Sequence, residues 1–324
     1  MSREGEDCSV LLHQHLTILS GVFYFKNFQF TNLIKGDLRM KRKLSFILIS
    51  TILAGILLTA CSSQSKTEVS ESPEVSAPND KDTFVIGLEA DYAPFNWTQM
   101  DDSNGGVKIQ DSAEYAGGYD VEIAKRIAEG LGKELVVVKV EWDGLLPALT
   151  SGMIDAIVAG MSPTAERAES IDFSDNYYKS DLVMVVKKGG AYENAEFIKD
   201  FKGARVTAQL NTFHYSVIDQ IEGVKKETAM DNFPAMRVAL ESGIIDGYVS
   251  EKPEAVSASS ANSNFSFVEF KDGLKTSDDD TAVAVGLLKD SELVGKINEI
   301  LKGISEEERQ SIMDSAIQNQ PAAQ

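Results

Sequence analysis

Between positions 159 and 167 the chain carries residue types that could hold an organic anion. Ala159 and Gly160 close a short apolar run, and a glycine there lets a ligand approach the backbone. Ser162 offers an O–H, and Arg167, five residues on, has the planar fork that pairs a carboxylate bidentately. The same residues admit a plainer arrangement, in which Ser162 and Pro163 cap a helix with Glu166 in its first turn and Arg167 is a solvated surface residue. Taken by itself, the loop favours the plainer one.

The segments around the loop bring in more. Leu145, Leu146 and Leu149 stand at helical spacing, Gly152 breaks that pattern, and Ile154 to Val158 reads as a strand ending at Ala159 and Gly160. In open α/β sheets, ligands lie beyond the carboxyl ends of strands, which is where residues 161–167 fall. The run from Ala148 to Val158 (ALTSGMIDAIV) is echoed by Ala239 to Val249 (ALESGIIDGYV) at an offset of 91 residues. On that offset Gly160 corresponds to Glu251, so a second strand end delivers a carboxylate. Two helix-turn-strand units at domain-sized spacing predict two α/β lobes with a cleft between them.

The run WDGLLPALTSG…DAIVAGMS, with Thr164, Glu166 and Arg167 following and IDFSDNYY at 171–178, resembles the signature of the family 3 solute-binding proteins of ABC importers, which bind polar amino acids. Ile86 to Phe95 (IGLEADYAPF) resembles the opening motif of that family, and Gly117 to Gly132 (GGYDVEIAKRIAEGLG) its first helix. The resemblance runs in order from about Phe84 to the C-terminus. It implies a two-lobed periplasmic-binding-protein-like fold of type II, an α/β class, with the ligand between the lobes. It also implies that Arg167 pairs the carboxylate of an amino acid with help from backbone N–H groups near Ser162 and Thr212. Glu251 would hold the ammonium together with Ser162 and the backbone around Ala159 and Gly160, leaving Glu89, Tyr92 and Trp142 to read the side chain. Tyr92 and Trp142, each just after an expected strand end, are otherwise ordinary core aromatics. The family usually has aspartate at Glu89 and Glu251, and Gly-Thr-Thr where this chain reads Asn211-Thr212-Phe213, so only Thr212 is carried over from that loop.

Composition sets the remaining bounds. At 43% hydrophobic and 25% charged, the 324 residues can bury a sizeable core. Met40-Lys41-Arg42-Lys43, an apolar run from Leu44 to Leu58 and Leu58-Thr59-Ala60-Cys61 read as a lipoprotein signal peptide over 40–60, with Cys61 the lipidated first residue of the mature chain. Residues 1–39 read as a spurious or dispensable leader, with translation starting at Met40. Residues 61–82 read as a lipidated cysteine and a flexible, polar tether. The first lobe is expected over 83–181 plus 276–324 and the second over 182–275, with hinges near 178–183 and 270–280. Removing residues 1–60, which hold 7 Lys or Arg and 4 Asp or Glu, takes the formal net charge from −19 to −22. Such a field disfavours nucleic acid as a partner.

With Cys8 in the leader and Cys61 at the anchor, no thiol is left in the mature fold for a metal site or nucleophile. His214 is its one histidine, and a lone histidine is more often structural. No metal or cofactor is expected. The function implied is an extracytoplasmic, lipid-anchored, monomeric receptor for an amino acid, with permease subunits of an ABC transporter as partners. Glu89, read as an extra negative charge facing a pocket walled by Tyr92 and Trp142, points to arginine or lysine. The competing readings are a receptor for glutamine or another neutral polar amino acid, a dehydratase-like enzyme on the same fold, and a sensor module. The enzyme would need Glu89 and Glu251 for acid–base work while both are committed to charge pairing, and the sensor would need an appended domain.

Overall fold

The computed structural model describes residues 82–321. The leader, the signal peptide, Cys61 and nearly all of the tether lie outside the described residues. Asp82, assigned to the tether, already accepts the Glu134 N–H at 2.8 Å on the edge of the first sheet.

In chain order the first lobe contains β1 (Thr83–Leu88), β2 (Asp91–Tyr92), β3 (Asn96–Gln99), β4 (Val107–Lys108), β5 (Tyr115–Gly117), α1 (Tyr119–Leu131), β6 (Glu134–Lys139), α2 (Leu145–Thr150), β7 (Ala156–Ile157), α3 (Ala165–Ala168), β8 (Asp172–Phe173) and β9 (Tyr178–Lys179). The second contains β10 (Leu182–Lys187), β11 (Arg205–Thr207), α4 (Phe213–Val217), β12 (Lys225–Lys226), α5 (Phe233–Ser242), β13 (Gly247–Glu251), α6 (Lys252–Ala261) and β14 (Phe265–Glu269). The chain returns through β15 (Ala282–Val283) and β16 (Gly286–Leu287) to α7 (Leu293–Lys302) and α8 (Glu306–Asn319). Two five-stranded sheets result, ordered β6-β1-β7-β16-β8 and β12-β11-β13-β10-β14. β9 and β15 pair antiparallel, so the two crossings between lobes run side by side. This is the two-lobed α/β fold anticipated from the sequence.

The 91-residue echo is carried into three dimensions. Gly152 and Gly243 both sit in the left-handed region, at φ 74° and 77°. The next N–H in each unit reaches back five residues, Met153 to Ala148 O and Ile244 to Ala239 O, both at 2.9 Å, which ends each helix in the way glycine permits. Asp155 and Asp246 then fasten each unit to the first parallel strand of its own lobe. Val85 N–H donates to Asp155 Oδ2 at 2.9 Å and Arg205 N–H to Asp246 Oδ2 at 2.8 Å, while each aspartate N–H returns to the carbonyl of the same residue. Ala156 therefore lies opposite Ile86 as Gly247 lies opposite Val206.

Several elements depart from the reading of the sequence. The strand expected over 154–158 is only Ala156–Ile157, and in the second lobe β11 stops at Thr207, after which Asn211 takes φ 55° in a loop. The returning chain over 282–287 forms two strands rather than one, because Ala284 N–H turns to Met161 O (3.0 Å) between pairing with β9 and pairing with β7. The polar stretch 101–114 contributes β4 to a small four-stranded sheet. Helices α6 and α8 were not anticipated. The serine-rich SASSA of α6 lacks an apolar stripe, and α8 buries only Ile312, Met313 and Ala316.

Asp246 also holds Arg205 Nη2 at 2.6 Å. Replacing Asp246 by alanine strands the Arg205 N–H and is expected to cost about 1–3 kcal/mol in urea unfolding. A loss below about 0.5 kcal/mol, the range of an ordinary surface change, contradicts the fastening role.

Candidate ligand-binding site

The site is built where the strands of both lobes end. From the first lobe come Tyr92 on β2, Trp142 after β6, and Gly160, Ser162 and Arg167 after β7; from the second come Gln209 and Thr212 in the loop after β11 and Phe213 and His214 at the start of α4. Together they line a narrow pocket. The lobes touch across it. Asn211 Nδ2 donates to Asp143 Oδ1 at 2.9 Å, Gln209 Nε2 to Glu89 Oε2 at 2.9 Å, and Tyr92 Oη to Glu251 Oε2.

The two arrangements open for the 159–167 loop turn out to be partly combined. A short helix does follow the loop, but its cap is Thr164, whose Oγ1 accepts the Arg167 N–H at 3.4 Å. Arg167 is not a solvated surface residue. Its guanidinium is half-buried, donating from Nη1 to Ser162 O at 2.9 Å and from Nη2 across the cleft to Asn211 O at 3.2 Å, with its carbon centre 5.0 Å from the Trp142 ring. Burial lowers its pKa to about 10, so it stays charged at neutral pH. Gly160 has φ 62°, and a Cβ on it would sit 2.6 Å from Tyr92 Cε1, so the loop passes the tyrosine face only because the residue is glycine. Ser162 is buried, and what it gives Arg167 is its carbonyl rather than the hydroxyl. Ala159 is fully buried behind the loop and is not among the lining residues.

Tyr92 is both core and wall. Its ring stacks between Phe95 at 4.8 Å and Phe233 of the second lobe at 4.3 Å, while Trp142 remains half-exposed at the rim. Thr212 lines the pocket, but its Oγ1 donates to Gln209 O at 2.7 Å within its own loop.

The two acids behave differently. Glu251, at the end of β13 where α6 starts, is 2% exposed. Burial pushes its carboxyl up, yet the His214 imidazole and the Tyr92 hydroxyl outweigh it, and the pKa falls below the ordinary carboxylate value. His214 Nε2 lies 3.0 Å from Glu251 Oε1, ion-pair distance but outside hydrogen-bond alignment. Glu89, also 2% exposed, is driven by burial up to about 8 despite the Gln209 bond. The extra negative charge expected there is thus absent at neutral pH in this geometry, because the group is protonated.

Three pocket residues escaped the reading of the sequence. A lone His214 reads as structural, Phe213 lacks the hydroxyl that the resembled loop carries, and Gln209 has no motif around it. Nothing local marks Gln209 as the residue that reaches Glu89, since that contact spans 120 positions. Among the described residues no cluster of three or more His, Cys, Asp or Glu could hold a metal ion, and no helix is long and apolar enough to cross a membrane.

Comparison with known proteins places this geometry. The chain is 32% identical over 229 residues to a probable histidine-binding protein of Campylobacter jejuni, covering 67% of this chain and 80% of the relative. It is 30% identical over 233 residues to a glutamine-binding protein of an ABC transporter from Bacillus subtilis, covering 70% and 80%. An amino acid ABC transporter substrate-binding protein of Streptococcus pneumoniae, solved bound to L-arginine, superposes with a TM-score of 0.65 at 28% identity over 73% of this chain and 94% of that one. The model of the bacterial extracellular solute-binding proteins, family 3, matches residues 84–318, and the chain belongs to that family of amino-acid-binding transport proteins rather than to a family of enzymes.

Proposed function

We propose that this amino-acid-binding protein of an ABC transporter is a lipid-anchored receptor for a cationic amino acid, arginine or lysine. Arg167 pairs the ligand carboxylate, assisted by backbone near Ser162 and Thr212. Glu251 takes the ammonium, with Ala159, Gly160 and Ser162 shaping the backbone around it. Tyr92 and Trp142 flank the side chain, and Glu89 receives its charge. Cys61 anchors the protein outside the cytoplasmic membrane, where it meets the permease as a monomer.

The observation that carries the cationic reading is Glu89, a buried carboxyl group whose Oε1 has no hydrogen-bond partner. A guanidinium or ammonium beside it supplies both a donor and a countercharge, and the carboxyl then ionises. The neutral reading has its own support. Glu89 protonated at pH 7, next to the Gln209 amide, can equally exchange hydrogen bonds with an uncharged amide side chain such as that of glutamine.

The clamp is tested first by Arg167→Ala, which is expected to abolish calorimetric binding of every amino acid alike, since all share the carboxylate. Arg167→Lys is expected to bind poorly too, because a point charge does not reproduce a fork. Retained binding in the alanine variant refutes the clamp.

The choice of ligand is tested by proton linkage. With Glu89 raised to about 8, a cationic ligand is expected to expel its proton at pH 7, so affinity for arginine or lysine rises as pH approaches 8 and then levels off. Calorimetry in buffers of differing ionisation heat should show release with arginine or lysine, none with glutamine, and none in Glu89→Gln. Tightest binding by glutamine without linkage overturns the cationic reading. Without ligand, the raised folded-state value means that Glu89 contributes stability fully present below its unfolded pKa and lost as pH rises through about 8. The thermal midpoint should therefore fall over that window more in the wild type than in Glu89→Gln.

A further inference from the structure

Residue 211 turns the chain in the left-handed region, at φ 55°, and it also reaches across the cleft. Glycine meets the first requirement without strain, and asparagine is among the few residues with a side chain that tolerate it. Asn211 uses the side chain that glycine lacks. Its Nδ2 donates to Asp143 Oδ1 of the first lobe at 2.9 Å, while its carbonyl accepts Arg167 Nη2 at 3.2 Å. Neither Asn211 nor Asp143 lines the pocket.

Both ends of this bridge are held in place. In the second lobe, Leu210 N–H donates to Met230 O at 2.8 Å and Thr212 Oγ1 to Gln209 O at 2.7 Å, so the loop is pinned before and after Asn211. In the first lobe, Asp143 is the middle residue of a single 3-10 turn (Trp142–Gly144), where Gly144 N–H donates to Glu141 O at 2.8 Å. That turn also carries Trp142, whose ring lies 5.0 Å from the carbon centre of Arg167. Asn211 therefore meets the first lobe at two points, Arg167 itself and the residue next to the tryptophan against which Arg167 packs.

We propose that Asn211 is a positioning residue for ligand binding: a latch that joins the lobes once they have closed on an amino acid, holding Arg167 against Trp142 and slowing release of the ligand. The inference rests on the reading of Arg167 as the partner of the ligand carboxylate.

The chemistry of the bridge sets what it contributes. Asn211 and Asp143 are both exposed, so water satisfies the amide and the carboxylate when the lobes are apart, and the net gain on closing is that of one surface hydrogen bond to a charged group. The bond exists only when the lobes meet, so it acts on dissociation more than on association. It joins protein to protein and bypasses the ligand side chain, so its effect is common to every amino acid that binds.

The test measures L-arginine and L-glutamine by calorimetry and by stopped-flow tryptophan fluorescence, with the thermal midpoint of the free protein as a control for folding. Asn211→Gly keeps the backbone conformation and deletes the amide. It is expected to weaken binding about three- to fivefold, through faster dissociation, with the midpoint unmoved within about two degrees. Asn211→Asp also tolerates the left-handed region but sets two carboxylates against each other, so it should bind more weakly than the glycine variant, most of all at low salt. Adding Asp143→Asn to it restores an amide–carboxylate pair with the roles exchanged, and affinity should return to within about twofold of wild type. Affinity of Asn211→Gly within about 1.5-fold of wild type, or no rescue in the double variant, overturns the latch. A midpoint drop of several degrees assigns Asn211 to the fold and overturns it equally. If Arg167→Ala binds as well as wild type, the clamp reading fails instead, and the rescue still decides whether Asn211 joins the lobes. If wild type binds neither probe, the proposed choice of ligand fails, and the rescue is read with whichever standard amino acid binds tightest.

Discussion

A carboxyl group removed from water has to be protonated or supplied with donors, and four such groups crowd the heart of this protein. Asp120, Glu89, Glu251 and Glu254 are each 2% exposed or less. The cost of leaving any of them charged and alone is far beyond what packing can offset. Two are met within their own lobe. Asp120 has the Tyr177 hydroxyl at 2.6 Å and the Asn96 amide at 2.8 Å, and Glu254 has Arg237 at 2.8 Å and the Tyr248 hydroxyl at 3.0 Å. The other two draw a partner from the opposite lobe, Gln209 for Glu89 and Tyr92 for Glu251. Separating the lobes therefore withdraws these donors only from the pair that faces the cleft, while Asp120 and Glu254 keep theirs.

The same supersecondary unit serves opposite charges in the two lobes. Each copy closes its helix with a left-handed glycine, ties an aspartate to the first strand, and sends a strand to the cleft in identical register. In the first copy the strand end is followed by a loop that turns back on Arg167; in the second it ends in Glu251. Under the function proposed above, the two charges of an amino acid would find matching partners on two related scaffolds that face each other, without a long loop on either side.

What could be read from the sequence follows the range of the interaction that creates it. The repeat was legible because helix, glycine, aspartate and strand are neighbours in sequence, and Arg167 because its partner Ser162 is five residues away. His214, Phe213 and Gln209 were not, because their meaning comes from residues of the other lobe or from the far end of β13. The charge of Glu89 was misread for a related reason. Sequence shows a carboxylate, whereas burial decides whether it is ionised. Among the helices, α8 did leave a trace that went unused. Ser305 followed by Glu308 is a helix-start pattern, and Ser305 Oγ accepts the Glu308 N–H at 3.2 Å.

That last helix has a mechanical consequence. Near its start, Glu308 accepts Arg126 Nε of α1 at 2.9 Å, and Arg309 Nη1 donates to Asn176 O at 2.8 Å, beside the outgoing crossing. Just past its end, Gln320 Nε2 donates to Ser257 O of α6 in the second lobe at 3.2 Å. The helix is thus hydrogen-bonded to both halves, as a strap. Two adjacent strands alone would allow bending, twisting and shear. With α8 tied to both lobes, any rotation of one lobe against the other has to carry or break those bonds as well as bend the two crossings.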